Sequence, residues 1–388
     1  MKPELGVGLV GYGFLGRAHS LAWTSEPQVF DLPTSPVRIA ICGRDEDRAT
    51  KVARQFGWQN VETDWRALVA RDDVQLVDIC TPGDSHCEIA LAALGAGKHV
   101  LCEKPLANTV AQAESMAAAA RLAAGRGVFA MVGFNYRRVP ALALAHRLLS
   151  EDFLGQIRHV RASYLQDWLV DPEFPVVWRL RREHAGSGAL GDLGAHLVDL
   201  VRYLLSADVS AVSAATETFV PDRPVPLGPS SGLDGAASGA VREPVSVDDS
   251  ALFIARLSNG ALASFEATRF ATGRKNALRL EINGDRGSIA FDLERLNELE
   301  IFEVGDDLAG FRRVLVTESA HPYLDAWWPP GHVLGWEHTF VHQARDLLRA
   351  IADGHQPRPS FEDGLEVQRV LDAVERSSAS GRWVSPGS

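Results

Sequence analysis

A glycine-rich turn between a predicted strand and a predicted helix is the feature that most restricts the fold of this chain. Residues 5–10 form an apolar run that leads into G-x-G-x-x-G at residues 11–16, and residues 17–23 have a helical pattern. This order is typical of the first unit of a dinucleotide-binding parallel sheet, although such glycines can also form a purely structural turn. The motif predicts that a dinucleotide contacts Gly11, Gly13, Phe14, Leu15 and Gly16.

Strand and helix patterns then alternate along the first third of the chain. Strands are predicted at residues 37–42, 74–80, 100–102 and 128–134, and helices at residues 46–56, 86–96 and 110–124. Short connections between alternating strands and helices are typical of a doubly wound parallel sheet, whose ligands bind at the carboxyl ends of the strands. We therefore predict an α/β Rossmann domain over residues 1–135.

One of these strand ends carries a lysine that the backbone holds in place. The strand at residues 100–102 ends in Glu103-Lys104-Pro105. Proline forces a turn there, because it fixes φ and lacks an N–H group. If a cofactor lies at this edge of the sheet, we expect Lys104 to contact it. The alternative is that Lys104 is an ordinary solvated lysine at the end of a strand.

The end of the second predicted strand bears on the choice of cofactor. An acid that binds the adenosine ribose is expected there, but the chain has Gly43 followed by Arg44. Without the acid a 2′-phosphate is not repelled, and Arg44 can pair with it, which favours NADP over NAD. NAD stays open because Asp45 or Asp47 can serve as the ribose acceptor, and Arg44 can also be merely solvated.

Composition excludes several classes of function. The 388 residues are too many for one ordinary domain, and the net charge of -11 with a pI near 5.6 argues against a nucleic-acid partner. The sequence shows no apolar run long enough to cross a membrane and no secretory signal pattern, so we expect a cytoplasmic protein. The four cysteines lack a C-x-x-C spacing, which argues against a metal site or a disulfide framework.

Residues 136–388 are predicted to form a second domain of the α+β class. Alternating polar and apolar residues predict strands at residues 155–166, 211–220, 250–257, 261–270, 277–282 and 288–291. Turn signals between them indicate a large, open, mainly antiparallel sheet. Its free face would suit association into a homodimer or homotetramer. Residues 221–244, which are rich in proline, glycine and serine, are predicted to be a long loop.

Asp192 and His196 follow a glycine-rich segment and stand four residues apart, which places them on one face of a helix. An imidazole suits acid–base work near neutral pH, and a carboxylate one turn away can orient it and raise its basicity. The alternative is an ion pair on the surface of the helix.

Aromatic residues and histidines supply further candidates. Trp168 and Trp178 can stack on the face of a sugar or anchor their loops on the core. His338 and His342 share one face of a predicted helix, but the glutamate of the zinc-binding H-E-x-x-H motif is absent. We therefore predict no metal site and place His338 beside a substrate pocket.

The sequence resembles the Gfo/Idh/MocA oxidoreductases, a family that includes inositol dehydrogenases and glucose-fructose oxidoreductase. The matching segments are Gly11-Tyr12-Gly13-Phe14-Leu15-Gly16, Thr81-Pro82 with His86, Ala96-Gly97-Lys98-His99-Val100, Glu103-Lys104-Pro105-Leu106-Ala107 and Asp192-Leu193-Gly194-Ala195-His196. Gly43 departs from the family, in which many members carry an acid. Residues 135–138, 164–168 and 327–331 look most like the branch of levoglucosan and inositol dehydrogenases.

This resemblance implies an NAD(P)-dependent dehydrogenase that oxidises a secondary hydroxyl of a sugar, glycoside or cyclitol. Lys104 would bind and polarise the hydroxyl, and His196, oriented by Asp192, would take its proton. We expect Lys104 and His196 to meet at one pocket. The cofactor would also contact Thr81, Pro82, His86, Glu103 and Asn135, and the substrate would also contact Tyr136, Arg137, Trp168, Trp178 and His338.

Two other activities stay open within the resemblance. An NAD-dependent glycosidase uses transient oxidation to cleave a glycoside, which releases free sugar without net reduction of the cofactor. A non-catalytic member can instead act as a regulator that senses NAD(P). The presence of Lys104, Asp192 and His196 together argues against the regulator.

Overall fold

The structure, a computed structural model, describes residues 2–228 and 238–387, which form two compact units. The first unit comprises Met1–Asn135 and Gly335–Leu365, and the second comprises Tyr136–Leu334 and Glu366–Ser388. The chain thus first passes from one unit to the other at residues 135 and 136, where the sequence analysis divides the domains. In addition, the first unit includes Gly335–Leu365, a segment which that division assigns to the second domain.

The first unit contains a six-stranded parallel sheet, which confirms the predicted Rossmann architecture. The sheet has the order β3-β2-β1-β4-β5-β6, in which the sequence of strands reverses beside β1, where such sheets bind ligands. Its strands are β1 (Glu4–Val10), β2 (Ser35–Cys42), β3 (Asn60–Glu62), β4 (Leu76–Ile79), β5 (His99–Cys102) and β6 (Ala130–Val132). The connecting helices are α1 (Phe14–Val29), α2 (Glu46–Phe56), α3 (Trp65–Val69), α4 (His86–Gly95) and α5 (Val110–Ala124).

Local sequence explains where these elements begin and end. Helix α2 starts because the Asp45 side chain accepts a hydrogen bond from the backbone N–H of Arg48, and it stops at Gly57, whose φ is 70°. The strands are nearly all apolar because helices cover both faces of a parallel sheet. Strand β3 and helix α3 are not predicted from the sequence, since three and five residues are too few to show a period.

The second unit contains an open, mainly antiparallel sheet of eight strands, as predicted. The order is β16-β15-β14-β13-β7-β12-β11-β8, and among these described strands β7 and β12 form the parallel pair. The strands of this unit are β7 (Ile157–Leu165), β8 (Val209–Glu217), β9 (Asp222–Pro226), β10 (Ser238–Pro244), β11 (Ser250–Leu257), β12 (Leu262–Thr268), β13 (Ala277–Gly284), β14 (Gly287–Asp292), β15 (Glu298–Glu303) and β16 (Arg312–Leu315).

Helices cover one face of this open sheet. The remaining helices are α6 (Pro140–Ser150), α7 (Arg182–Ala185), α8 (Ala195–Leu205), α9 (His338–Ala352) and α10 (Phe361–Ser380), and a π-helical turn at Leu190–Gly194 precedes α8. Helices α6 and α8 pack on the sheet. On β11, Ala251 and Phe253 are buried, whereas Leu252 and Ile254 are 50% and 44% exposed.

None of the helices in the described part of the chain is long and apolar enough to span a bilayer.

Strands β9 and β10 correct the prediction of a long loop at residues 221–244. They form an antiparallel ribbon, and the residues between 228 and 238 lie outside the described part of the chain. Arg223 anchors the ribbon, since its buried guanidinium donates hydrogen bonds to the carbonyl oxygens of Leu169 and Asp171 at 2.6 and 2.7 Å. These tertiary contacts outweigh the turn-rich composition.

Helix α9 packs against α1 within the first unit, where α1 buries an acid. Glu26 is 1% exposed, and neither of its carboxylate oxygens accepts a hydrogen bond from a described residue. Burial raises the pKa of Glu26 to about 7, although the charges of Lys2 and Arg345 lower it in part. The folded state therefore favours the protonated acid.

We predict that Glu26→Gln stabilises the protein at pH 8. The raised pKa means that ionisation of Glu26 costs folding free energy as the pH rises from about 4.5 to about 7, and the cost is constant above that range. At about 1.4 kcal/mol per pKa unit, removal of this charge should raise the free energy of unfolding at pH 8 by roughly 1–3 kcal/mol.

Urea denaturation at pH 8 and pH 5 measures this change. The gain should shrink towards pH 5, and the exposed acid Glu151, replaced by Gln, serves as a control that should show little change at either pH. An equal gain for Glu26→Gln at both pH values would contradict the buried, uncompensated charge.

Candidate active site

The glycine-rich turn of the first unit has the geometry that its motif predicts. Gly11 has φ of +105°, and a Cβ atom there would lie 2.6 Å from the carbonyl oxygen of Cys80. A Cβ atom on Gly16 would lie 2.0 Å from the carbonyl oxygen of Gly11, so helix and strand approach closely only with glycine. Gly13 is exposed at the N-terminus of α1, where backbone N–H groups favour an anion such as a pyrophosphate.

The first residues of α1 form a partly exposed surface beside this turn. Phe14 is 47% exposed, and its ring stacks on Trp336 with a centroid distance of 5.3 Å and an angle of 12°. Leu15 is half-buried next to it. The segment Gly335–Leu365 thus returns to the glycine-rich turn from the far end of the sequence.

No side chain fits at residue 43, the end of β2, where an acid that binds the adenosine ribose is expected from the sequence motif. A Cβ atom on Gly43 would lie 1.8 Å from Cε1 of Tyr12, so the ring of Tyr12 occupies the space of a side chain. Arg44 is exposed. Asp45 is engaged as the N-cap of α2 and lies 3.3 Å from Nε of Arg48.

His86 joins two strand ends of the sheet. Its Nε2 lies 2.9 Å from the carbonyl oxygen of Thr81, and its Nδ1 lies 3.0 Å from the carbonyl oxygen of Pro105. Since His86 is 1% exposed, it positions the loop of Thr81 and Pro82 against the loop that follows Lys104. The structure therefore brings together the residues predicted at the ends of β4 and β5.

Buried charges hold the corner that contains Lys104. One carboxylate oxygen of Glu103 lies 3.0 Å from Nε2 of His19, and the other accepts a hydrogen bond from the backbone N–H of Lys104 at 3.1 Å. The other ring nitrogen of His19 lies 2.9 Å from Asp78, which also accepts a hydrogen bond from Trp23 at 2.7 Å. Burial lowers the pKa of His19, but the charge and the hydrogen bond of Asp78 outweigh it and raise the pKa well above its ordinary value.

His19, Asp78 and Cys80 also meet the spacing of a metal site, with candidate ligand atoms within 4.8 Å of one another. Both ring nitrogens of His19, however, already face carboxylates at hydrogen-bond distance. Burial and the charge of Asp78 raise the pKa of the Cys80 thiol, which disfavours the thiolate that binds metals. The contacts therefore favour a hydrogen-bonded cluster.

Two further predicted residues of the first unit lie where β6 ends and α9 begins. Asn135 is buried, and its amide donates to Oγ1 of Thr339 at 2.8 Å. His338 accepts a hydrogen bond from the backbone N–H of Gly335 at 3.0 Å. His342, one turn further along α9, is fully buried beside the ring of Phe30. It therefore packs in the core, whereas His338 is bonded to the backbone at the start of the helix.

In the second unit, aromatic residues surround His196. The buried imidazole lies at the start of α8, and its centroid is 4.5 Å from the ring of Tyr136 and 6.0 Å from that of Tyr164. The hydroxyls of the two tyrosines are 2.8 Å apart, and Tyr164 donates to the side-chain oxygen of Asn276 at 2.7 Å. Tyr136 is therefore placed against His196, and Tyr164 and Asn276 hold it there.

Asp192 is held by arginines. Arg269, which is 1% exposed, donates a hydrogen bond to the carboxylate of Asp192 at 3.1 Å, and Nε of Arg179 lies 4.0 Å away. Asp192 lies in the π-helical turn before α8, whereas the four-residue spacing predicts an ordinary α-helix. Such turns recur at functional sites because they redirect side chains.

The two tryptophans differ in their surroundings. Trp168 packs against an apolar cluster that includes Leu169 and Val176, donates to Gln166 at 3.0 Å and lies under the guanidinium of Arg269. These contacts match the alternative in which Trp168 anchors its loop. Trp178 is half-buried, and its ring lies 4.3 Å from the guanidinium carbon of Arg179.

Arg137 has a structural partner that the sequence analysis does not foresee. Its guanidinium donates two hydrogen bonds to Asp199, at 2.8 and 2.6 Å, and both side chains are buried. It also lies over the ring of Tyr203. This bidentate pairing through Nε and Nη2 fixes the segment that carries Tyr136 to α8, and the contact of Arg137 with substrate stays a prediction.

Two family models match the chain. The oxidoreductase family with an NAD-binding Rossmann fold matches residues 5–134, and the GFO/IDH/MocA C-terminal domain matches residues 142–290. The chain belongs to the Gfo/Idh/MocA family. This finding confirms the resemblance noted in the sequence, and it makes the chain an oxidoreductase with an NAD-binding Rossmann domain.

Relatives within the Gfo/Idh/MocA family cover the whole chain. Levoglucosan dehydrogenase of Pseudarthrobacter phenanthrenivorans is 43% identical over 386 residues, which cover 98% of each protein. The crystal structure of an oxidoreductase domain protein from Kribbella flavida is 57% identical with a TM-score of 0.94, and each chain is fully covered. A complex of levoglucosan dehydrogenase with NADH and levoglucosan is 42% identical with a TM-score of 0.92, and covers 99% of this chain and 100% of that one.

Several residues of this Gfo/Idh/MocA site have no counterpart in the sequence analysis. His19 and Asp78 are missed, although an aspartate within the apolar run of residues 74–80 signals a buried charge that needs a partner. Arg269 and Asn276 give no such signal, because they lie far along the chain from Asp192 and Tyr164.

Proposed function

We propose that the chain is an NAD(P)-dependent dehydrogenase that oxidises a secondary hydroxyl of a sugar, glycoside or cyclitol, with levoglucosan as the first substrate to test. The observation that carries the proposal is the 43% identity to levoglucosan dehydrogenase over 98% of the chain, together with Lys104, Asp192 and His196 at the motif positions. The solved complex of that relative with NADH and levoglucosan supports the same class of substrate.

The proposed chemistry assigns a separate task to each side chain. Lys104 binds and polarises the hydroxyl, and His196 accepts its proton as the carbon–hydrogen bond breaks. The bound nicotinamide would accept the hydride from that carbon. Asp192, held by Arg269, keeps a negative charge near the start of α8, which would favour the protonated imidazole that results.

Contacts in the first unit support a dinucleotide at the carboxyl edge of the parallel sheet. The exposed start of α1 offers N–H groups to a pyrophosphate, and Thr81, Pro82, Glu103 and Asn135 lie at the ends of neighbouring strands. Glu103 is engaged by His19 and by the backbone of Lys104, so we propose that it supports the cofactor site through Lys104.

The choice between NAD and NADP depends on the end of β2. The relative of known structure is complexed with NADH, which favours NAD for this chain. Gly43, covered by Tyr12, leaves no acid to repel a 2′-phosphate, and the exposed Arg44 can pair with one, which favours NADP. We propose that the site accepts a nicotinamide dinucleotide of either kind and that Arg44 sets the affinity for NADP.

We also propose that the exposed face of the eight-stranded sheet binds further copies of the chain as a homodimer or homotetramer. Leu252 and Ile254 of β11 and Leu262 of β12 are 43–50% exposed on this unit. Sedimentation should give a larger species for the wild type than for Leu252→Glu, because a buried charge opposes the contact. Equal masses for both proteins at micromolar concentration would contradict the proposal.

A panel of polyols, sugars and anhydrosugars with NAD and NADP tests the activity. We predict reduction of the nicotinamide, followed by its absorbance, with at least one compound. Lys104→Ala should lower kcat/KM by about a hundredfold or more, because it removes the polarising charge. The exposed Lys51, replaced by Ala, serves as a matched control that should keep full activity.

The absence of nicotinamide reduction with every compound would refute the dehydrogenase. Release of free sugar from a glycoside without net reduction would identify the glycosidase in its place. An activity that Lys104→Ala leaves unchanged would refute the role of Lys104.

For the cofactor we predict that Arg44→Ala raises KM for NADP about tenfold or more and leaves KM for NAD within about twofold. A charge-assisted hydrogen bond to a phosphate contributes about 1.5–3 kcal/mol to binding. NAD lacks the 2′-phosphate, so its binding does not depend on this contact. Arg54→Ala is the control, since Arg54 is an exposed arginine further along α2, and it should leave both KM values unchanged. Equal effects of Arg44→Ala on both cofactors would refute the phosphate contact.

A further inference from the structure

We propose that His19 is a positioning residue of the active site, a buried imidazolium that holds Glu103 and, through it, the main chain of Lys104. The proposal rests on the function proposed above for Lys104. His19 lies on the first turns of α1, three residues after the last glycine of the glycine-rich turn, and it is 1% exposed. One side chain therefore joins the dinucleotide turn to the lysine corner.

The positions of both ring nitrogens fit a charged ring. Nδ1 of His19 lies 3.0 and 2.9 Å from the two carboxylate oxygens of Asp78, and Nε2 lies 3.0 Å from a carboxylate oxygen of Glu103. An ionised carboxylate only accepts hydrogen bonds, so both ring nitrogens must donate. A ring that carries a proton on each nitrogen bears a positive charge, which compensates the two buried acids in part.

Each acid is fixed in turn by a second partner. The indole of Trp23 donates to Asp78 at 2.7 Å, and the backbone N–H of Lys104 donates to the other oxygen of Glu103 at 3.1 Å. Glu103 also packs against Gly133, where a Cβ atom would lie 2.7 Å from its Oε1, so this position of the carboxylate requires glycine there. The contacts thus run from His19 on α1 to Glu103 at the end of β5 and on to the residue that bears the proposed catalytic amine, while Asp78 on β4 holds the other side of the ring.

The two acids that face the ring favour its charged form. Asp78, Cys80 and Glu103 are the titratable neighbours among the described residues, and the ring of Phe340 closes the remaining side at 5.1 Å between centroids. Burial lowers the pKa of His19, and the charge and the hydrogen bond of Asp78 raise it well above its ordinary value. Loss of the imidazolium would leave both buried carboxylates without their charged partner, and the contact that holds Glu103 from α1 would be lost.

Single and double variants test the proposal in the holoenzyme. We expect His19→Gln to lower kcat about a hundredfold, as expected for a displacement of about 1 Å at a reacting group, and to change the dissociation constant of NADH less than about threefold. In the Glu103→Gln background, His19→Gln should cause no further loss, because both variants break one contact.

His99→Gln is the matched control. His99 lies in the same unit, half-buried, and accepts a hydrogen bond from the backbone N–H of Phe129 at 3.0 Å, away from the contacts of Glu103. We expect this variant to keep kcat. Equal losses in His19→Gln and His99→Gln, or losses that multiply in the double variant, would overturn the proposal in favour of a general effect on folding.

Nitrogen NMR of the ligand-free wild type supplies a readout that does not depend on activity. The His19 ring should carry a proton on both nitrogens at pH 8, and a neutral ring at that pH would overturn the proposal. If no sugar is oxidised but the ring is charged, the dehydrogenase function fails, and the inference that a charged His19 holds Glu103 is kept.

Discussion

The parallel direction of all six strands in the first unit is the constraint on which the site depends. Parallel strands end at one edge of a sheet, so the glycine-rich turn, the loop of Thr81 and the corner of Lys104 become neighbours although they are far apart in the sequence. The strands are almost wholly apolar, and polar side chains appear where they end. Because the strands themselves are buried and apolar, the polar side chains that can bind ligands are concentrated at this one edge of the sheet.

Buried charges then fix these strand ends in place. A carboxylate inside a protein is costly unless it is paired and hydrogen-bonded, and each unit meets this requirement beside its candidate residues. In the first unit His19 lies between Asp78 and Glu103, and in the second Arg137 pairs with Asp199. Such pairs specify one geometry, because an alternative position of either partner would leave a charge unsatisfied.

The sequence predicts most of the architecture but only part of the site. Strand and helix periods, together with glycine spacing, define the Rossmann domain, and alternation defines the open sheet, because both signals are local. The ribbon at β9 and β10 is missed, since the contacts of Arg223 that stabilise it are tertiary. Likewise, the partners of Asp192 and Tyr164 come from distant strands, so no spacing within the sequence reveals Arg269 or Asn276.

The return of Gly335–Leu365 to the first unit has a consequence for the order of folding during synthesis. Helix α9 packs against α1, and Trp336 stacks on Phe14, so the amino-terminal unit lacks part of its core until Gly335–Leu365, in the last seventh of the chain, has been made. Domains usually fold as they leave the ribosome, the first one before the next. Here the first unit is completed only after all strands of the eight-stranded sheet have been synthesised. Until then Phe14, beside the glycine-rich turn, lacks its contact with Trp336.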